Sequence, residues 1–202
     1  MSDKVKTSRL GALVERVWDA ARRHPSLASL ALGLVAACGY PPLHLWWLSL
    51  IALAGFVGLL SQAGHWRSAA WWGWLFGWSH LTLANNWIAT AFTYQAKMPE
   101  ILGWFAVPLL CVYLAIYPAF AALFAWLLSQ RVQKAAVGDL LCFGLLFSGA
   151  WIIFEWVRSS AFSGYPWPPL GLVLLGDWDT PGVAFTLHWR GTYGLAGLVV
   201  LR

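Results

Sequence analysis

Apolar residues run along this chain in long blocks separated by short polar or Gly/Pro-rich breaks, and the block lengths set the expected elements. Residues 7 to 23 differ from the rest. There Leu10, Leu13, Val14, Val17 and Ala21 recur at helical spacing, with Arg9, Arg16 and Arg23 off that stripe. The pattern predicts a helix lying on a membrane surface, with a solvated tail as the alternative. Ser26 to Cys38 is a first apolar span, ended by Gly39-Tyr40 and the Pro41-Pro42 pair, which mark a tight turn. Leu43 to Leu60 returns, with Trp46-Trp47 suited to an interfacial aromatic belt. After a polar loop from Ser61 to Ser68, Ala69 to Phe92 is long enough to cross again.

Within that third span Gly73 and Gly77 form a small-xxx-small pair that lets another helix approach closely. His80, Asn85 and Asn86 place polar groups where lipid cannot satisfy them, so they are expected to face the bundle interior. They serve there either as interhelical hydrogen-bonding groups or as the wall of a polar cavity. Beyond the Thr93 to Glu100 loop, Ile101 to Leu128 is the longest apolar run, with kinks expected at Pro108 and Pro118. Ser129 to Asp139 reads as a loop and Leu140 to Val157 as a fifth span. Ser163 to Pro169 is too rich in Gly and Pro for a helix, and Leu170 to Leu175 is too short to cross. Gly191 to Leu201 covers roughly 17 Å, little more than half the hydrocarbon thickness. Extending it back through Pro181 requires Arg190 to be buried or to snorkel. The predicted fold class is therefore all-α, a polytopic membrane bundle with five full spans and a sixth, truncated one.

Composition sharpens this reading. With 60% apolar residues, 10% charged and 16 Trp in 202 residues, the chain cannot hide its apolar surface in one water-soluble core. The formal charge of +5 sits mostly beside the first span, which argues against a nucleic-acid partner. Lys4, Lys6, Arg9, Arg16, Arg22 and Arg23, with Arg67, Arg131 and Lys134, make nine basic residues on one side, against Lys97 and Arg158 on the other. By the positive-inside rule residues 1–25 form a cytoplasmic tail, 26–202 a transmembrane domain, and the turn at 158–169 faces the periplasm. The first span lacks a small-residue cleavage pattern and is expected to be retained.

Glu155 and Arg158 end the fifth span, three positions apart, and can pair on one helix face. Charge at such a depth is either an interfacial ion pair or part of a ligand site. Elsewhere the chemistry is sparse. His24, His44, His65, His80 and His188 are isolated and have no metal-ligand spacing. Cys38, Cys111 and Cys142 lie singly in apolar runs, where a thiol packs as a small hydrophobe. No catalytic residue, metal site or cofactor is expected from these residues.

The ordered landmarks resemble the integral membrane part of bacterial apolipoprotein N-acyltransferases, over roughly residues 26 to 200. They are Ala37-Cys38-Gly39 with its Pro turn, Gly73 to Gly77 followed by Asn86-Trp87, and the Tyr113 to Leu128 helix ending at Arg131. The most specific are Ala150-Trp151, Glu155, Arg158 and Gly164-Tyr165-Pro166-Trp167, similar to the family's E-x-x-R-G-x-x-x-T-G-F-P-W signature. Gly191-Thr192-Tyr193-Gly194-Leu195 is similar to the start of the family's last helix. Ser159, Ser163 and Tyr165 replace the signature's Gly, Thr and Phe.

The resemblance implies a bacterial inner-membrane protein that moves an acyl chain from phospholipid to the N-terminal S-diacylglyceryl cysteine of a lipoprotein. It also implies that catalysis belongs to a nitrilase-like domain with Glu, Lys and Cys, which is absent here and expected to be encoded separately if it exists. The substrate-binding residues it implies are Gly164, Tyr165, Pro166, Trp167, Glu155, Arg158, Asn86 and Trp87. This chain would then present lipid and be inactive alone. Other readings are a small transporter or channel subunit and an inert packed fragment; the absence of an internal repeat argues against a transporter.

Overall fold

A computed structural model describes residues 9–94, 99, 101–132, 139–161, 164–176 and 182–201. Expectations resting on Lys4, Lys6, Lys97, Lys134, Ser163 and Pro181, and on the side chains of Leu10, His188 and Arg190, lie outside the described residues.

All regular elements among the described residues are helical. The order is α1 (Arg9–Arg23), α2 (Pro25–Ala37), α3 (Trp46–Leu60), α4 (Trp66–Ala84), α5 (Trp87–Thr93), α6 (Ile101–Leu114), α7 (Ile116–Val132), α8 (Asp139–Ser160) and α9 (Leu187–Leu201). Short 3-10 turns at Leu170–Leu174 and Val183–Thr186 link α8 to α9. The all-α expectation holds. Ile101–Val132 and Leu140–Ser160 are long and apolar enough to cross a membrane, while Pro25–Ala37, Trp46–Leu60 and Gly191–Leu201 are shorter apolar helices.

The proline pattern marks the boundaries. Pro25 opens α2, where a missing N–H leaves no helical bond unmade. Pro118 lies in the first turn of α7, just past the break after α6, and Pro108 sits inside α6. The Pro41-Pro42 and Trp167-Pro168 peptides are cis, both in the connections predicted as turns.

Two boundaries differ from the sequence pattern. The expected third span stops at Asn85 and restarts as the separate seven-residue α5. Asn85 folds its amide back onto the Leu81 carbonyl at 2.9 Å, a local bond that competes with continuing the helix. The last helix reaches back to Leu187, but its course breaks at Gly191, whose φ of 66° is open to glycine and strained for other residues.

Small residues set the packing order α3, α2, α4, α7, α8, α9. On α2, Ser29, Gly33 and Ala37 recur every four residues along its buried face. A Cβ on Gly33 would meet the Phe76 carbonyl and Ser79 Oγ of α4. On its other flank α4 presents Gly73 and Gly77, where a Cβ would come within 2.5 Å of Ala122 Cβ and 2.6 Å of Pro118 Cβ on α7. Such close backbone approach substitutes for a hydrophobic drive, which lipid does not supply. Phe56 stacks on Phe76 at 4.1 Å and meets Phe147 edge-on at 5.8 Å, joining α3, α4 and α8 in one core. Outward, Trp104, Phe105, Leu109, Leu141 and Ile153 are exposed. The bundle thus buries several serines while large apolar side chains stand outside.

Candidate functional site

The end of α8 builds the site. Glu155 and Arg158 are both buried and their side chains approach to 3.5 Å. Glu155 Oε1 also accepts the Leu170 backbone N–H at 2.8 Å, which fixes the start of the 3-10 turn. Arg158 reaches the other way: its guanidinium donates to the carbonyls of Trp167 at 3.3 Å and Pro168 at 3.2 Å. A planar fork of donors suits two successive carbonyls in a way that a single ammonium does not. The pair therefore clamps the chain segment from Trp167 to Leu170 onto the helix end.

Around this clamp the turn is closed by local bonds. Tyr165 N–H donates to the Arg158 carbonyl at 3.2 Å and Gly164 N–H to Ala161 at 2.9 Å. Gly164 has φ +62°, and a Cβ there would stand 2.9 Å from the Ser159 carbonyl, so the position calls for glycine. The Tyr165 hydroxyl donates to Asn85 Oδ1 at 2.7 Å, tying the turn to the break between α4 and α5. Burial raises the Tyr165 and Tyr40 phenols above their ordinary range, so both remain neutral donors. Tyr40, in the first Pro turn, donates to the Pro169 carbonyl at 3.3 Å and lies 3.4 Å from His80 Nε2.

Two spaces flank the clamp. A cavity of about 20 Å³, room for roughly one water, lies beneath it among His80, Tyr117, Trp151, Glu155 and Arg158. The second is a cleft of about 680 Å³, walled by Tyr40, Ala84, Trp87, Ile88, Tyr165, Trp167, Leu172 and Leu175. Its size is that of a ligand pocket, and its walls are apolar or aromatic, with the hydroxyls of Tyr40 and Tyr165 bonded to protein groups.

The expected site residues separate into groups. Glu155 and Arg158 form the clamp, Gly164 shapes the turn, and Tyr165, Trp167 and Trp87 line the cleft. Pro166 is exposed at the turn. Asn86 does not face the bundle interior as expected: it is exposed, because the helix break at Asn85 puts it outside the packed face. Asn85 is the buried partner instead. Tyr40 and Leu172 were not singled out by the sequence. The Pro turn before Leu43 and the apolar run after Pro169 were visible, but nothing local brings residues 40 and 169 together.

Cys111 is buried among Leu81, Ala89, Val107 and Leu114, with the Thr82 and Asn85 side chains also beside its thiol. Among the described residues no cluster of three or more His, Cys, Asp or Glu could hold a metal.

Residues 32–202 match the family model described as the apolipoprotein N-acyltransferase N-terminal domain. An apolipoprotein N-acyltransferase of Ralstonia nicotianae is 32% identical over 198 residues, covering 87% of this chain and 36% of that protein. One of Caulobacter vibrioides is 33% identical over 159 residues, covering 76% of this chain and 27% of the relative. One of Vibrio vulnificus is 29% identical over 159 residues, covering 79% and 29%. The chain thus spans about a third of the length of the curated relatives it matches. Together these similarities show that the chain belongs to the apolipoprotein N-acyltransferase family, of which it carries the N-terminal domain.

Proposed function

We propose that this domain holds phospholipid, and the diacylated lipoprotein that receives its acyl chain, beside the clamped turn at Gly164 to Pro168, while acyl transfer is performed by a catalytic part outside this chain. The cleft of about 680 Å³ carries the reading, since its walls are apolar and part of them, Ala84 with Trp87 and Tyr40 with Pro41, flanks two short breaks between helices. A lipid chain leaves hydrocarbon at about 0.8 kcal/mol per CH₂, so a carrier must offer an apolar surface continuous with the bilayer. Tyr165 and Trp167 give one side of that surface and Trp87 with Ile88 the other. The clamp below keeps both in register without touching the lipid. The same residues argue against a transport path, because Arg158 and Glu155 Oε1 are committed to each other and to backbone groups.

In the proposed setting the domain is multi-pass in the bacterial inner membrane, with its basic tail cytoplasmic and the cleft at the periplasmic face, as the nine-to-two distribution of Lys and Arg favours.

A phospholipid carrying a photoactivatable acyl chain tests the proposal in reconstituted chain. Trp167→Ala removes one large apolar wall, roughly 1.5–3 kcal/mol of burial, and is expected to lower cleft labelling about tenfold while insertion is unchanged. Labelling equal to wild type would remove Trp167 from the cleft's function. The same preparation supplied with a diacylated lipopeptide is expected to form no triacylated product, and turnover would overturn the assignment of catalysis to another part.

A further inference from the structure

At the end of the bundle away from the cleft, α1 carries four separate surfaces on one 15-residue helix. Its position is set by Trp18, whose ring packs over the end of α3: a Cβ on Gly58 would lie 3.0 Å from it. Arg22 stacks over the same ring at 5.5 Å, and the two border a cleft of about 420 Å³ with Ser61, Gln62, Leu140 and Phe143. With that flank docked, the rotation of the helix is fixed. The next face holds Leu13, Val14 and Val17, all more than half exposed. Beyond it, spaced seven residues apart and so stacked in one stripe, come Arg9, Arg16 and Arg23, all exposed. Glu15 and Asp19 occupy the remaining side, also exposed.

That order around the helix is the order of layers at a charged bilayer surface. Trp18 faces the protein, the apolar stripe enters the acyl boundary, the arginine stripe lies level with headgroup phosphates, and the carboxylates face water. We propose that α1 is an in-plane anchor that binds anionic phospholipid and seats the bundle end bearing the start of α8 on an anionic leaflet. Neutral lipid satisfies the apolar face alone; the segregated arginines call for negative headgroups. The 22 residues of α8 separate this end from the cleft by about 33 Å, so anchor and cleft face opposite leaflets. α1 also precedes residue 32, where the family match begins, and the proposal is independent of the lipid-presenting reading.

The test uses the whole chain in nanodiscs of phosphatidylcholine with and without phosphatidylglycerol, and follows trypsin cleavage after Arg22 relative to cleavage after Arg67. The Arg67 reference cancels effects of lipid charge on the protease itself. Each basic side chain near an anionic surface contributes roughly fivefold to seating, so three contribute on the order of 100-fold. Phosphatidylglycerol is expected to slow cleavage after Arg22 by at least about tenfold, and the triple variant Arg9→Gln, Arg16→Gln, Arg23→Gln to abolish that slowing. The exposed positions of the three arginines leave the packed bundle untouched, and an unchanged rate after Arg67 verifies this. A cleavage ratio that is the same in both lipid compositions, whether fast or slow, would overturn the proposal, as would protection undiminished in the triple variant.

Discussion

Arg158→Ala is expected to destabilise the domain by about 3–5 kcal/mol, the range seen when one partner of a buried ion pair is removed. Three losses coincide at this position. The Glu155 carboxylate stays buried without its cation, and the carbonyls of Trp167 and Pro168 lose their donors. The segment that holds Trp167 against the cleft is then tied down by the Leu170 N–H on Glu155 and the Tyr40 hydroxyl on the Pro169 carbonyl. Arg158→Lys should fall between wild type and Ala, because an ammonium keeps the charge but cannot serve both carbonyls and the carboxylate in one plane. Unfolding midpoints in detergent, together with lipid labelling of the cleft, read both consequences. An Arg158→Ala protein as stable as wild type would show that the pair is an incidental surface contact, contrary to its burial.

Gly33→Val is expected to separate α2 from α4, at a cost at the upper end of the roughly 1–3 kcal/mol typical of overpacking. The obstacle is the Phe76 carbonyl, which belongs to the backbone of α4 and cannot rotate aside as a side chain would. Separation here also disturbs His80, one turn along α4, and through it the contact with Tyr40, which lines the cleft. Gly149 provides the contrast: nothing lies within 4 Å of a Cβ built there, so Gly149→Ala should be neutral or slightly stabilising through its effect on the unfolded chain. Thermal unfolding of the two variants side by side checks the pair. Equal midpoints would mean that α2 and α4 do not rely on close backbone approach.

The features legible in the sequence are local ones. Apolar block length and the proline positions place α2, α3 and α8 within a few residues of their observed ends. The Glu155 and Arg158 pairing follows from three-residue spacing alone, and the Gly164 turn from its composition. The break at Asn85 escaped because apolar residues continue past it to Phe92, so block length argued for one helix where a side-chain amide ends it. The partners of the turn escaped for another reason. Tyr165 meets Asn85 and Tyr40 meets Pro169 across 80 and 129 residues of sequence, contacts that depend on how the helices stack. Spacing within a helix carries no information about that stacking, whereas the small residues that permit it, Gly73 and Gly77, were visible.

The most direct measurement is the location of covalent adducts after wild-type chain in a bilayer is irradiated with phospholipid bearing a photoactivatable group along one acyl chain, mapped by peptide mass spectrometry. Adducts are expected to concentrate on Trp87, Ile88, Tyr165, Trp167 and Leu172, well above those on Leu109 and Leu141, which simply face outward. Adducts spread evenly over all outward apolar side chains, with no excess at the cleft, would contradict the proposed role of the cleft.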